Sequence, residues 1–246
     1  MRTSNPALND QVFAHGFAVE SSATMSLQGT VIKTALLLSL AIGTATFSWE
    51  AFQNGNQYAM LMLIGGGIGG FVTSMIAIFK PTTSPWSAPL YAAFEGLLLG
   101  GMSAYFEAAF NGIVLQAALL TFGTLGALLL AYSTRLIRAT ENFKLGVVAA
   151  TGGIALVYLA SMVLGFFGIE IPYLHSTGWI GIGISGFIVV VAALNLVLDF
   201  DFIETGVNRG APKYMEWYGA FGLMVTLVWL YIEFLRLLAK LNSRED

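Results

Sequence analysis

The 246-residue sequence has no cysteine, only two histidines (His15 and His175), and charged side chains at only 10% of positions. Without cysteine there is no thiol nucleophile, disulfide or thiolate metal site. Two widely separated histidines leave no imidazole cluster for a metal, and both are expected to be ordinary surface residues. The 11 basic residues sit mostly between apolar runs instead of forming a block, so no nucleic-acid partner is expected. A phosphate loop, a nucleophile elbow and a zinc-type pairing of His with acid are all missing. The chain is therefore expected to be neither an enzyme nor the holder of a resident cofactor. An intramembrane aspartyl protease would also place two acids on facing helices, but no motif supports it.

What the sequence has in excess is apolar length. Hydrophobic residues make up 57% and the mean hydropathy is +0.76, concentrated in long runs. Seven runs approach the roughly 20 residues a bilayer requires: Val31 to Trp49, Tyr58 to Phe79, Ala88 to Phe110, Ile113 to Ser133, Leu145 to Gly168, Gly178 to Phe202 and Tyr214 to Leu238. They predict an all-α polytopic protein of seven transmembrane helices embedded in a lipid bilayer. A polar tail, 1–29, precedes a single membrane domain, 30–241, and a short polar tail, 242–246, follows. The first run begins too late for a secretory signal and is read as a retained span. Trp49, Trp86, Trp179 and Trp217 fall at run ends, where indole rings prefer the headgroup layer. Glycines in the second run (Gly65, Gly66, Gly67, Gly69, Gly70) and the sixth (Gly178, Gly181, Gly183, Gly186) predict close helix contacts. Pro89 is expected in the first turn of the third helix.

Lys33, Lys80, Arg135, Arg138, Lys144, Arg209 and Lys213 all fall on the side of the N-terminus, and the opposite loops contain no Lys or Arg. The positive-inside rule then places the N-terminus in the cytoplasm. Arg236, Lys240 and Arg244 near the C-terminus run against it.

Acids inside apolar runs are costly unless they face protein, a partner or water. Glu216 and Glu233 lie toward the two ends of the last run, and Asp199 and Asp201 close the sixth. Glu95 has no base at i±3 or i±4 on its own helix. Glu107 lies near Asn111 and could cap a helix end, and Asn195 precedes Asp199 by one turn on the same face. By depth these groups form two layers, with Glu95, Asp199, Asp201 and Glu216 toward the cytoplasm and Glu107 and Glu233 toward the outside. A cation pore lined by oxygen ligands would have this arrangement.

The ordered set Ser133-Thr-Arg-Leu-Ile-Arg138, Leu198-Asp199-Phe200-Asp201 and Leu230-Tyr-Ile-Glu-Phe-Leu-Arg-Leu-Leu238 resembles the Bax inhibitor-1 family of membrane proteins, in a bacterial-type branch. The resemblance implies a seventh helix at the centre, wrapped by the other six, and a pH-sensitive calcium leak channel in the bacterial cytoplasmic (inner) membrane. It further implies a carboxylate pair, Asp199 with Glu233, that shares a proton, binds Ca2+ weakly and governs opening, with Lys80 as a basic latch. Ca2+ and H+ are the ions it implies. Helical arithmetic leaves the partner of Asp199 open. About the connecting turn, Glu233 lies some fourteen residues, roughly 21 Å, deeper than Asp199. Glu216 or Glu95 matches the depth of Asp199 better. Two other readings accommodate the same acids: a proton-coupled exchanger, and a non-conducting scaffold that regulates membrane proteases or other membrane-protein partners.

Overall fold

A computed structural model describes residues 24–168 and 178–245. His15 and His175 lie outside the described residues. Seven helices follow in order: α1 (Leu27–Gln53), α2 (Ala59–Phe79), α3 (Ser84–Ala109), α4 (Ile113–Ser133), α5 (Glu141–Phe166), α6 (Trp179–Asn208) and α7 (Met215–Glu245). Each covers one of the apolar runs to within two residues, and most extend past it at one end or both, where polar residues continue the helix. Six are long and apolar enough to cross a membrane. The exception is α3, whose apolar run is interrupted by Glu95, Glu107, small residues and two prolines. This helix starts at Ser84, so Pro85 occupies its first turn and Pro89 lies inside the helix, contrary to the position expected for Pro89.

The reason α3 tolerates those polar residues is its position. It packs against both α1 and α2 and also touches α7. A Cβ on Gly66 of α2 would stand 2.6 Å from the Phe94 carbonyl oxygen, so backbone meets backbone there. On α3, Gly100 lies directly against the Ala45 carbonyl of α1. The glycines expected at contacts in and before α6 divide: Gly181 is buried and its carbonyl accepts from Lys240 of α7 at 3.1 Å, whereas Gly178, Gly183 and Gly186 have open space beside them.

Two buried clusters share α7. One joins it to α4 and α6 through Ile113, Leu196, Phe200, Leu227 and Leu230, and the other to α1 and α3 through Leu37, Ala92, Phe221 and Met224. By contrast α5 packs chiefly on α6 and buries only Val147 and Ile154. Its exposed Leu145, Val148, Leu156, Leu159 and Met162 suit a lipid-facing surface.

The short connections are fixed by specific groups. Gly112 adopts φ +84° in the turn between α3 and α4, a left-handed conformation that glycine reaches without steric cost. The Glu107 carboxylate accepts from the Gly112 and Val114 amides, at 2.6 and 3.1 Å, and so caps α4. At the start of the described chain the Met25 amide donates to the Ala211 carbonyl, 2.7 Å, and Ser26 caps α1 by accepting from Gly29.

Candidate functional site

A cavity of about 790 Å³ opens among α2, α3, α6 and α7. Glu95 and Asp199 both line it, with Asn195, Thr226, Tyr91 and Tyr218. The third helix delivers Glu95 one turn after Tyr91, and α6 delivers Asp199 one turn after Asn195. Gly70 of α2 makes room for Glu95, since a Cβ there would stand 2.7 Å from Oε2. Asp199 faces the Thr226 hydroxyl, while its Oδ2 is buried with no hydrogen-bond partner among the described residues. Among the described residues no Lys, Arg or His lines the cavity. The Asn195 amide does not turn to Asp199. It donates to Thr151 Oγ1 on α5 and to the Val191 carbonyl, both at 2.8 Å.

The other acids have partners elsewhere. Glu216 is fully buried and accepts from the Ser26 amide (2.9 Å) and hydroxyl (2.8 Å). It pairs with Lys213 at 2.8 Å and closely with Lys33. That set of donors ties α1 to the start of α7. At the other end of α7, Glu233 is 1% exposed and accepts from Tyr158 Oη at 2.9 Å, Trp229 Nε1 at 3.2 Å and Arg236 at 3.2 Å. Asp201 pairs with Lys144 of α5 at 2.8 Å. Lys80 ends α2 as an exposed side chain, forms no ion pair among the described residues and does not line the cavity.

These contacts revise the expected constellation. Asp199 shares its cavity with Glu95, whereas the implied mate, Glu233, and the depth-matched alternative, Glu216, are taken up by other groups. Glu107 is a helix cap, Asp201 faces α5 and Lys80 is not beside the acids. No three His, Cys, Asp or Glu side chains gather into a metal-holding group among the described residues.

The sequence pattern of the family described as Bax inhibitor 1 like matches residues 5–243. The chain belongs to that family. No curated protein and no solved structure matches it. The match covers nearly the whole of this Bax inhibitor 1 like protein, and with six membrane-length apolar helices it makes the chain an integral membrane protein.

One acid of this family member escapes a reading by sequence. Glu204, one helical turn before the end of α6, accepts from Arg135 at 2.7 Å and closely from Tyr132 Oη. Its hydrogen bonds raise the Arg135 pKa further above its ordinary value. The available signal was weak: Tyr132 and Arg135 sit three residues apart where α4 ends, and Arg135 takes φ +61° there. Glu204, Asp201 and Glu216 thus each carry a basic partner, and among the described residues Asp199 and Glu95 have none.

Proposed function

We propose that the protein is a cation leak pathway, permeable to Ca2+, whose control site is the cavity shared by Asp199 and Glu95. The observation that carries this reading is the pair of carboxylates in one cavity with no base to balance them. Such a site is neutralised by bound cations or by protons, so the two compete and passage depends on pH. On this reading α3 is the remaining span, made polar because it faces protein, and α7 is the central helix that brings both core clusters to the site. The bases gathered at the N-terminal ends of α1, α5 and α7 support a cytoplasmic N-terminus, and a bacterial inner membrane is the compartment proposed.

The test is Ca2+ entry into proteoliposomes followed with an internal Ca2+ dye. The wild-type chain is expected to leak, more slowly at pH 6 than at pH 8. Asp199→Asn should remove most of the leak together with its pH dependence. Unchanged flux and pH profile in Asp199→Asn would remove the basis for this function.

A further inference from the structure

The cavity carries a second chemistry besides its acids. Four of its aromatic rings touch in series. Tyr91 meets Phe221 edge to face at 5.0 Å between centroids, Phe221 meets Tyr218 at 6.2 Å, and Tyr218 meets Phe202 at 6.0 Å. The series runs from α3 across α7 to α6 and lines the same space as Glu95 and Asp199, and Phe71 of α2 adds a fifth ring. A Ca2+ ion passing the two acids gains nothing from this wall. It takes about 6–8 oxygen ligands at roughly 2.3–2.6 Å, whereas this lining is mostly apolar and brings no three metal-type side chains together. The volume of about 790 Å³ falls within the roughly 300–1,000 Å³ of small-molecule sites and is far more than a dehydrated ion fills.

We infer that the cavity is a binding site for a small organic ammonium ion, its charge balanced by Asp199 and Glu95 and its alkyl groups packed on the Tyr91–Phe221–Tyr218–Phe202 wall. The inference rests on the reading of this cavity as the cation site. Aromatic faces attract ammonium ions most strongly away from water. Asp199, whose Oδ2 has no hydrogen-bond partner among the described residues, supplies negative charge that such a cation would balance. Among the described residues no base in the lining competes as a counter-charge. A dispersed organic charge also suits an apolar chamber better than a strongly hydrated metal ion does. A second cavity, about 530 Å³ among α1, α3, α4 and α7, lacks this combination: its one acid, Glu50, is exposed.

The probe is benzyltrimethylammonium, compared with its uncharged carbon isostere neopentylbenzene. Binding is measured by calorimetry on the full chain in nanodiscs of zwitterionic lipid. Saturable binding of the ammonium is expected, and the isostere should bind far more weakly. Asp199→Asn should weaken the ammonium by at least about tenfold. Phe202→Leu, a change at a side chain 45% exposed, should weaken it by about threefold or more. Phe71→Leu, at 65% exposed, provides a second truncation of the lining that spares the buried core. Glu50→Gln, in the other cavity, should bind like wild type. Equal affinity for the isostere, or equal ammonium affinity in wild type and Asp199→Asn, overturns the inference. Ca2+ leak that depends on Asp199 with no ammonium binding would sink only the inference. Ammonium binding that depends on Asp199, with Ca2+ leak indifferent to it, would sink only the proposed leak function.

Discussion

Glu216 and Asp199 are both acids placed by membrane-length helices, yet their surroundings differ in kind. Around Glu216 stand Lys33, Lys213 and two donors from Ser26, so its charge is compensated and its role is to fasten α1 to α7. Replacing it by Gln leaves Lys33 without its counter-charge and is expected to cost about 1–3 kcal/mol, since both lysines retain some access to water. A lowered thermal midpoint of Glu216→Gln in detergent checks this, and an unchanged midpoint contradicts it. Around Asp199 there is no compensating charge, so its replacement should affect cation handling more than stability. Gly70→Ala probes the same site from its rim. The added Cβ would displace the Glu95 carboxylate, and a several-fold change in Ca2+ leak with little loss of folded protein is expected. Much of this was legible in the sequence: a charge near the end of an apolar run singled out Asp199, and the lack of a base at i±3 or i±4 kept Glu95 in view. The fate of Glu216 was only half legible. Lys213 is its neighbour on the chain, but Lys33 is 183 residues away and is brought close only by the tertiary fold.

At the level of elements, α3 separates what hydropathy can and cannot report. Its length and turn signals marked a helix, and its polar residues lowered its apolar character below the other six. Its small residues are explained by packing against α1 and α2, Glu107 by the cap it makes on α4 and Glu95 by the cavity it lines, none of which a run of apolar letters records. Gly100 is the sharpest point of that packing, lying on the Ala45 carbonyl, and Gly100→Val should cost about 2–3 kcal/mol through forced separation of α1 and α3. Loss of monodisperse protein on extraction, or a clear drop in its thermal midpoint, is the expected readout. The glycines of α6 gave the opposite lesson. They read like a contact stripe, but Gly183 and Gly186 have open space beside them, because glycine composition says that helices can approach and not that they do. The docking of α5 depends on few buried groups, with the Tyr158 hydroxyl on Glu233 among its polar ties. Tyr158→Phe should therefore loosen α5 by about 1 kcal/mol, seen as faster hydrogen exchange in α5 than in α4 or α6.

For the molecule as a whole, the number of helices and the apolar faces followed from the order of runs, whereas the site required knowing which helices are neighbours. Helical rise places residues in depth but not in azimuth. It set Glu233 some fourteen residues deeper than Asp199, yet the Thr226 that Asp199 faces stands seven residues before Glu233 and ten after Glu216, and it could not choose between Glu216 and Glu95. The fold decides by giving Glu216 its lysines, giving Glu233 the Tyr158, Trp229 and Arg236 donors, and leaving Glu95 with Asp199 in one cavity. Because protons and cations compete for those two carboxylates, the apparent Ca2+ affinity should fall as pH is lowered from 8 to 6, and the dependence should vanish when both acids are neutralised. The most direct test of this account is Ca2+ leak in proteoliposomes compared across wild type, Glu95→Gln, Asp199→Asn, the double variant and Glu233→Gln. The account predicts that either single change in the cavity cuts the leak by at least about tenfold, that the double variant is no worse than the poorer single one, and that Glu233→Gln still leaks. Normal leak in Glu95→Gln, or a leak abolished by Glu233→Gln as fully as by Asp199→Asn, would contradict it.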